Sequence, residues 1–159
     1  MKKMLLAAVI TLSATALLYA HCEIPCGIYQ DALRTAQLYE DIATIEKCVT
    51  EIKRLSAEKE INYNQLVRWI NNKDLHAQKI QDTVCTYFML QRIAPLNQDD
   101  PGYVAYVARL TLLHRLLVDA MKAKQNVDPA IPARMRATLK AFEQAYPQAA
   151  LPQEEPHHH

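Results

Sequence analysis

The segment Asp31–Ser56 has the sequence DALRTAQLYEDIATIEKCVTEIKRLS and carries the pattern that decides the fold. Its apolar residues recur at alternating steps of four and three, in the order Leu38, Ile42, Ile45, Val49 and Ile52. This spacing places them on one face of an α-helix, and that face must be buried against other elements. We therefore predict a first helix over about residues 31 to 56, with Asp31 as its N-cap.

A second apolar pattern predicts a helix over about residues 63 to 92. Lys73 interrupts its stripe, which consists of Leu66, Ile70, Ala77, Ile80, Val84 and Tyr87. A turn between the first two helices would separate Cys48 from Cys85 by a distance on the order of 20 Å, beyond disulfide reach. Both are therefore predicted to be buried thiols.

Asp100-Pro101 and Asp128-Pro129 each combine a capping residue with proline at the first helical position, and so predict the starts of a third and a fourth helix. The third stripe is predicted to be Tyr103, Val107, Leu110, His114, Leu117 and Met121. The fourth is predicted to be Met135, Leu139, Phe142 and Tyr146, after which Pro147 ends the helix.

The chain contains only two glycines and shows no strand-like alternation, which favours an all-α fold. Four amphipathic helices with short connections predict an antiparallel up-down four-helix bundle over residues 30–147. We expect residues 148–159, which end in three histidines, to be a disordered tail without a role.

The N-terminus has the layout of a secretory signal peptide. Lys2 and Lys3 precede an apolar run from Met4 to about Ala20 that is marginal for a membrane span of ~30 Å. We expect residues 1–20 to be removed, leaving a periplasmic or secreted protein that is not bound to a membrane. The formal net charge of +1 gives no indication of a nucleic-acid partner.

Removal of this leader would expose residues 21–29, HCEIPCGIY, which we call the hook. The freed amine of His21 and the amide nitrogen of Cys22 are two carbons apart, as are that amide nitrogen and the Cys22 thiolate, so both pairs can chelate one metal. Pro25 and Gly27 favour a tight loop that returns the Cys26 thiolate to the fourth position. Two nitrogens and two thiolates in one plane suit Ni(II), and the His21 imidazole can reach the axial position.

The pattern His-Cys-x-x-Pro-Cys-Gly-x-Tyr resembles the nickel-hook motif of nickel superoxide dismutases, with every fixed position present. The resemblance implies disproportionation of superoxide to dioxygen and hydrogen peroxide by Ni(II)/Ni(III) cycling, with one nickel ion per subunit, in a homohexamer of four-helix bundles. It implies His21, Cys22 and Cys26 as metal ligands, with His21 also catalytic. Tyr29 would lie near the open face of the metal and gate the small anion.

The chain also departs from the family pattern. Glu23 replaces a common aspartate, and Gln37 stands where the family places an acidic partner for the axial imidazole. Glu40 and Asp41, one turn further on, are the available substitutes. Because family members more commonly lose a short pro-segment to a dedicated peptidase, that enzyme and signal peptidase are both candidate maturation partners.

Two other functions remain open at this point. A periplasmic nickel- or copper-binding helical bundle could use the same donors as a carrier without turnover. A structural helical protein could instead close Cys22 and Cys26 into a disulfide loop in an oxidising compartment. On the second helix, Lys73 and His76 either line the approach of superoxide or belong to a solvated helix face.

Overall fold

The computed structural model describes Pro25 and residues 27–146, and this part of the chain is all-α. Its helices are α1 (Asp31–Ser56), α2 (Tyr63–Asp82), α3 (Tyr103–Gln125) and α4 (Ala130–Ala145). A π-helical segment, Thr83–Arg92, continues α2 without a break. The prediction of four helices is confirmed, and the limits predicted for the first two agree with the observed ones.

Long-range hydrogen bonds show that neighbouring helices run in opposite directions. Asp31, at the start of α1, binds Arg92 at the end of the π-helical segment and Tyr146 just after α4. Arg109, near the start of α3, donates from Nε to the carbonyl oxygen of Ala145 at the end of α4. Since α1 and α3 each pack against both α2 and α4, the four helices form an antiparallel up-down bundle.

The predicted stripes of α1 and α4 form much of the core. Every residue of both stripes is buried, and the rings of Phe88, Phe142 and Tyr146 pack against one another at the end of the bundle where α1 begins. The stripe of α2 is buried only in its second half, from Ala77 to Tyr87, while Ile70 is exposed.

Lys73 does not interrupt the α2 stripe, as the sequence suggested, but continues it into the core. Its side chain is 3% exposed, and its ammonium donates to the carboxylate of Asp74 and to the carbonyl oxygens of Ala123 and Lys124. Carbonyls in the last turn of a helix lack intrahelical partners. The buried ammonium therefore satisfies acceptors at the C-terminal end of α3.

The predicted stripe of α3 is wrong in most of its positions, although Leu110 and Leu117 are partly buried and pack against the core. Val107 and Met121 are 40% and 43% exposed, and His114 is exposed as well. The core-facing residues are instead Leu113, Leu116, Ala120 and Ala123. This helix is apolar on two adjacent faces, and packing against α2 and α4 selects the one that periodicity did not indicate.

The two proline-containing start signals behave differently. The Asp128 carboxylate accepts a hydrogen bond from the backbone N–H of Ala130 at 2.9 Å, but Pro129 and not Asp128 occupies the N-cap position of α4, so the helix begins one residue later than predicted. Asp100-Pro101 is not the first turn of α3. The Asp100 carboxylate accepts from the N–H of Asn97, and the helix begins later, at Tyr103.

Cys48 and Cys85 are both free thiols, as predicted. Cys48 is buried, but Cys85 is exposed, because Val84, Tyr87 and Phe88 occupy the core-facing positions of the π-helical segment. Among the described residues, no helix combines the length and hydrophobicity that crossing a membrane requires. The predicted signal peptide (1–20) and tail (148–159) lie outside the described residues, and both stay predictions.

Candidate metal centre

A turn lies at the base of the hook. The N–H of Ile28 donates to the carbonyl oxygen of Pro25 at 3.1 Å, and Gly27, the third residue of this turn, has φ +81°. A type II turn requires positive φ at this position, which glycine adopts without steric cost. A Cβ on Gly27 would meet nothing within 4 Å, so the constraint is conformational. The predicted role of Gly27 in a tight loop agrees with this geometry.

Tyr29 packs against the bundle immediately before α1. Its ring meets that of Tyr87 edge to face, with centroids 5.9 Å apart. The guanidinium carbon of Arg92 lies 4.2 Å from the Tyr29 ring centroid, which is the geometry of a cation–π contact. Two side chains of the π-helical segment therefore hold the last residue of the hook.

The sequence predicted Asp31 as a helix cap, but its side chain caps nothing. Gln30 occupies the N-cap position, and Asp31 lies in the first turn of α1 with only 5% of its surface exposed. Its Oδ1 accepts from the Tyr87 hydroxyl at 2.7 Å and from Arg92 Nε at 2.9 Å. Its Oδ2 accepts from Arg92 Nη2 at 2.7 Å and from the Tyr146 hydroxyl at 3.0 Å.

These contacts set the charge of the cluster. Burial alone would raise the pKa of Asp31, but the hydrogen bonds from Arg92, Tyr87 and Tyr146 outweigh it and lower that pKa below its ordinary value. Burial and the adjacent carboxylate raise the pKa of both Tyr87 and Tyr146. At neutral pH the cluster is therefore a buried ion pair bounded by two protonated phenols.

Two adjacent clefts run along the groove between α1 and α2. The smaller, of about 190 Å³, is lined by Pro25, Arg34, Asp82, Thr83, Thr86 and Tyr87. The larger, of about 410 Å³, is lined by Gln37, Glu40, Asp41, Thr44, His76, Lys79 and Thr83. Since both include Thr83, the groove leads from the base of the hook toward His76. The Arg34 guanidinium also lies 5.2 Å from the centroid of the Tyr87 ring, which brings a positive charge beside Pro25.

The larger cleft contains Gln37, which replaces the acidic partner expected for the axial imidazole, and both predicted substitutes, Glu40 and Asp41. Gln37 accepts a hydrogen bond from Arg34 Nη1 at 3.0 Å, and Asp41 pairs with His76. Glu40 is exposed. His76 therefore lies on the cleft wall rather than on a solvated face, whereas Lys73 is buried and does not line the approach.

Sequence reasoning missed Arg92 and Tyr146 and gave Asp31 another role. A signal was available for one contact, because antiparallel packing of the first two predicted helices brings an acidic start beside a basic end. The contribution of Tyr146 could not be found in this way, since it depends on how α4 packs against α1.

The predicted ligands His21, Cys22 and Cys26 lie outside the described residues, which themselves contain no group of three or more His, Cys, Asp or Glu side chains able to hold a metal. The fit to a metal therefore rests on the chemistry of the donors. A terminal amine, an amide nitrogen and two thiolates are a donor set that nickel accepts in a tetragonal arrangement. Pro25 and Gly27, which flank Cys26 in sequence, belong to the turn closed by the hydrogen bond from Ile28 to Pro25.

An all-α bundle preceded by such donors defines a class of helical redox metalloproteins. The chain matches the family described as nickel-containing superoxide dismutase over residues 16–150, and it belongs to that family. It is therefore an oxidoreductase that disproportionates superoxide, and nickel is its cofactor. This confirms the predicted family, activity and cofactor and favours the enzyme over the carrier. No curated protein and no solved structure matches the chain.

Proposed function

We propose that the mature chain begins at His21 and holds one nickel ion through the His21 amine and imidazole, the Cys22 amide nitrogen and thiolate, and the Cys26 thiolate. The observation that carries this proposal is the complete hook motif within the matched residues 16–150. When bound, nickel supplies the one-electron Ni(II)/Ni(III) couple for the dismutation.

The reaction consumes two superoxide anions and two protons and yields one dioxygen and one hydrogen peroxide. In this proposal Tyr29, held against Tyr87 and Arg92, restricts access to the metal and offers its phenol to the small anion as a hydrogen-bond donor. Arg34, in the cleft beside Pro25, adds a positive charge that raises the local concentration of superoxide.

The decisive experiment compares a chain that begins at His21 with one extended by Ala20. The bundle is the same in both, but the extension converts the His21 amine into a peptide nitrogen. We expect the shorter chain to take up one nickel ion per subunit and dismutate superoxide, and the extended chain to lose both properties. Equal nickel content and equal activity in the two chains would overturn the proposal.

Serine substitutions test the sulfur ligands separately. Cys22→Ser and Cys26→Ser should abolish nickel uptake and leave the helical circular dichroism unchanged, because both residues precede the bundle. Cys85→Ser is the matched control, since its thiol is exposed on the π-helical segment and we assign it no ligand role. Full nickel content in either hook variant would remove that cysteine from the ligand set.

We also propose that the chain assembles into a homohexamer. Support comes from the outer face of α3, where the apolar side chains of Val104, Val107 and Met121 are 81%, 40% and 43% exposed, so that a second copy of the chain could bury them. Val107→Glu with Met121→Glu should reduce the mass measured by light scattering. A monomeric unaltered chain would refute the assembly.

For maturation, we propose that signal peptidase or a dedicated peptidase removes residues 1–20 and that the enzyme acts in the periplasm or outside the cell. The lysines and apolar run at the N-terminus support this. Intact mass of the protein from fractionated native cells tests it. A periplasmic or secreted chain beginning at His21 is expected, and a cytoplasmic chain that retains the leader would contradict it.

A further inference from the structure

We propose that Arg92 is a positioning residue for Tyr29: its guanidinium, fixed by Asp31, holds the Tyr29 ring at the base of the hook. The inference rests on the role proposed for Tyr29 and extends it to a residue outside the motif. Arg92 lies at the end of the π-helical segment, far from the hook in sequence, and only the bundle brings the two together.

The geometry makes the guanidinium a rigid support. Nε and Nη2 of Arg92 donate to the two oxygens of Asp31 at 2.9 and 2.7 Å, so the plane of the guanidinium is fixed by a bidentate pair. The same group lies 4.2 Å from the Tyr29 centroid. Arginine can make both contacts at once because it is planar and has several donors, whereas the lysine ammonium is a point charge.

The carboxylate that fixes Arg92 is itself held in place. The Asp31 carboxylate also accepts hydrogen bonds from the hydroxyls of Tyr87 and Tyr146. The ring of Tyr87 in turn contacts the ring of Tyr29 edge to face. The orientation of Tyr29 is thus connected to the start of α1 and to the ends of the π-helical segment and α4. Tyr29, which lies just before α1, is therefore held in place by contacts with the helical bundle.

The structural arm of the test uses ¹⁹F NMR of the nickel enzyme containing 3-fluorotyrosine, with the Tyr29 signal assigned by its disappearance in Tyr29→Phe. We expect Arg92→Lys to shift and broaden this signal. Arg134→Lys is the matched control, because Arg134 also pairs with an aspartate, Asp119 at 3.0 Å, but lies toward the opposite end of the bundle. A Tyr29 signal that Arg92→Lys leaves unchanged would overturn the proposal.

The kinetic arm is a double-mutant cycle. We expect Arg92→Lys to lower kcat/KM for superoxide about tenfold, since small displacements near a reacting centre can cost this much or more. In the Tyr29→Phe background it should cost clearly less, because the phenol that Arg92 orients is then absent. Equal losses in both backgrounds would contradict positioning through Tyr29.

The two proposals fail in different ways. If Tyr29→Phe is as active as the unaltered enzyme, the role assigned to Tyr29 fails, and the ¹⁹F signal still decides whether Arg92 holds the ring. If Arg92→Lys does not fold, Tyr29→Leu provides the reciprocal measurement. Removing the ring should shift the Arg92 Nε–H proton resonance through loss of the ring current, and an unshifted resonance would refute the contact.

Discussion

Asp41 of α1 and His76 of α2 form a side-chain pair across the larger cleft, with Oδ1 and Nδ1 2.6 Å apart. Both side chains are largely shielded, at 12% and 19% exposure. Because Asp41 is already engaged, Glu40 is the freer of the two carboxylates that could replace the acidic partner missing at Gln37. The larger cleft therefore contains one carboxylate that joins two helices, Asp41, and one that is exposed, Glu40.

Because the two neighbouring carboxylates differ in this way, we expect their substitutions to have different effects on the free energy of unfolding. Asp41→Asn should lower the free energy of unfolding by about 1–3 kcal/mol, because it weakens a shielded charge-assisted hydrogen bond. Glu40→Gln should change stability by less than about 0.5 kcal/mol, as expected for an exposed residue. Urea denaturation measures both values. A Glu40→Gln variant that is as destabilised as Asp41→Asn would show that Glu40 also supports the fold.

The Asp31 cluster predicts a loss of stability in acid. The pKa of Asp31 is lowered in the folded protein, whereas an unfolded aspartate titrates near ~3.9. Above about pH 5 the carboxylate is ionised in both states, so its contribution to stability is fully present. As the pH falls from there through the folded pKa, the unfolded state binds more protons and this contribution is lost. Asp31→Asn should flatten the dependence below pH ~5.

At high pH the tyrosines of this cluster predict that stability falls as the pH rises, the opposite of the dependence expected in acid. The pKa values of Tyr87 and Tyr146 are raised in the folded protein, so their contribution is complete below the unfolded value of ~10 and is lost as the pH rises above it. Tyr87→Phe should reduce the slope of stability above pH ~10. Urea midpoints measured across pH for the three proteins test both limbs. Identical curves for all three would rule out this cluster as the cause.

Gly27→Ala should disturb the hook without disturbing the bundle. Placing a Cβ on a residue with φ +81° costs roughly 1–2 kcal/mol, although no neighbouring atom obstructs it. We expect weaker nickel retention in competition with a chelator and an unchanged urea midpoint. Asparagine tolerates positive φ better than alanine does, so nickel retention by Gly27→Asn should lie between that of the unaltered protein and that of Gly27→Ala. Equal nickel retention in all three proteins would show that the turn does not shape the site.

Lys73→Met should destabilise the bundle strongly. The substitution keeps an unbranched apolar chain but removes the donor that satisfies the carbonyl oxygens of Ala123 and Lys124. Buried acceptors left without a partner cost about 1–3 kcal/mol each. Urea unfolding should show a loss in this range or larger, whereas Lys79→Met, at an exposed position on the same helix, should have little effect. If Lys73→Met leaves the free energy of unfolding unchanged, the hydrogen bonds of Lys73 do not stabilise the bundle.

Sequence periodicity predicted some core faces and not others for a physical reason. The α1 stripe is a single apolar row on a polar helix, so only one orientation buries it. On α3, however, Val107 and Leu113 belong to different apolar faces, and a period of 3.6 fits both. Side-chain volume and neighbouring helices decide between them, and a one-dimensional pattern contains neither.

The family of this enzyme could be predicted from the sequence alone, because the donors proposed for the hook lie close together along the chain, so that their ability to chelate a metal would depend on bond connectivity rather than on folding. The four-helix plan was equally local, since it follows from spacing and from short connections. Only the tertiary structure decided that Asp31 would meet Arg92 and Tyr146, and that Arg92 would in turn support Tyr29. These contacts join residues that are 61 to 115 positions apart in the sequence, and their pairing is fixed by the packing of whole helices.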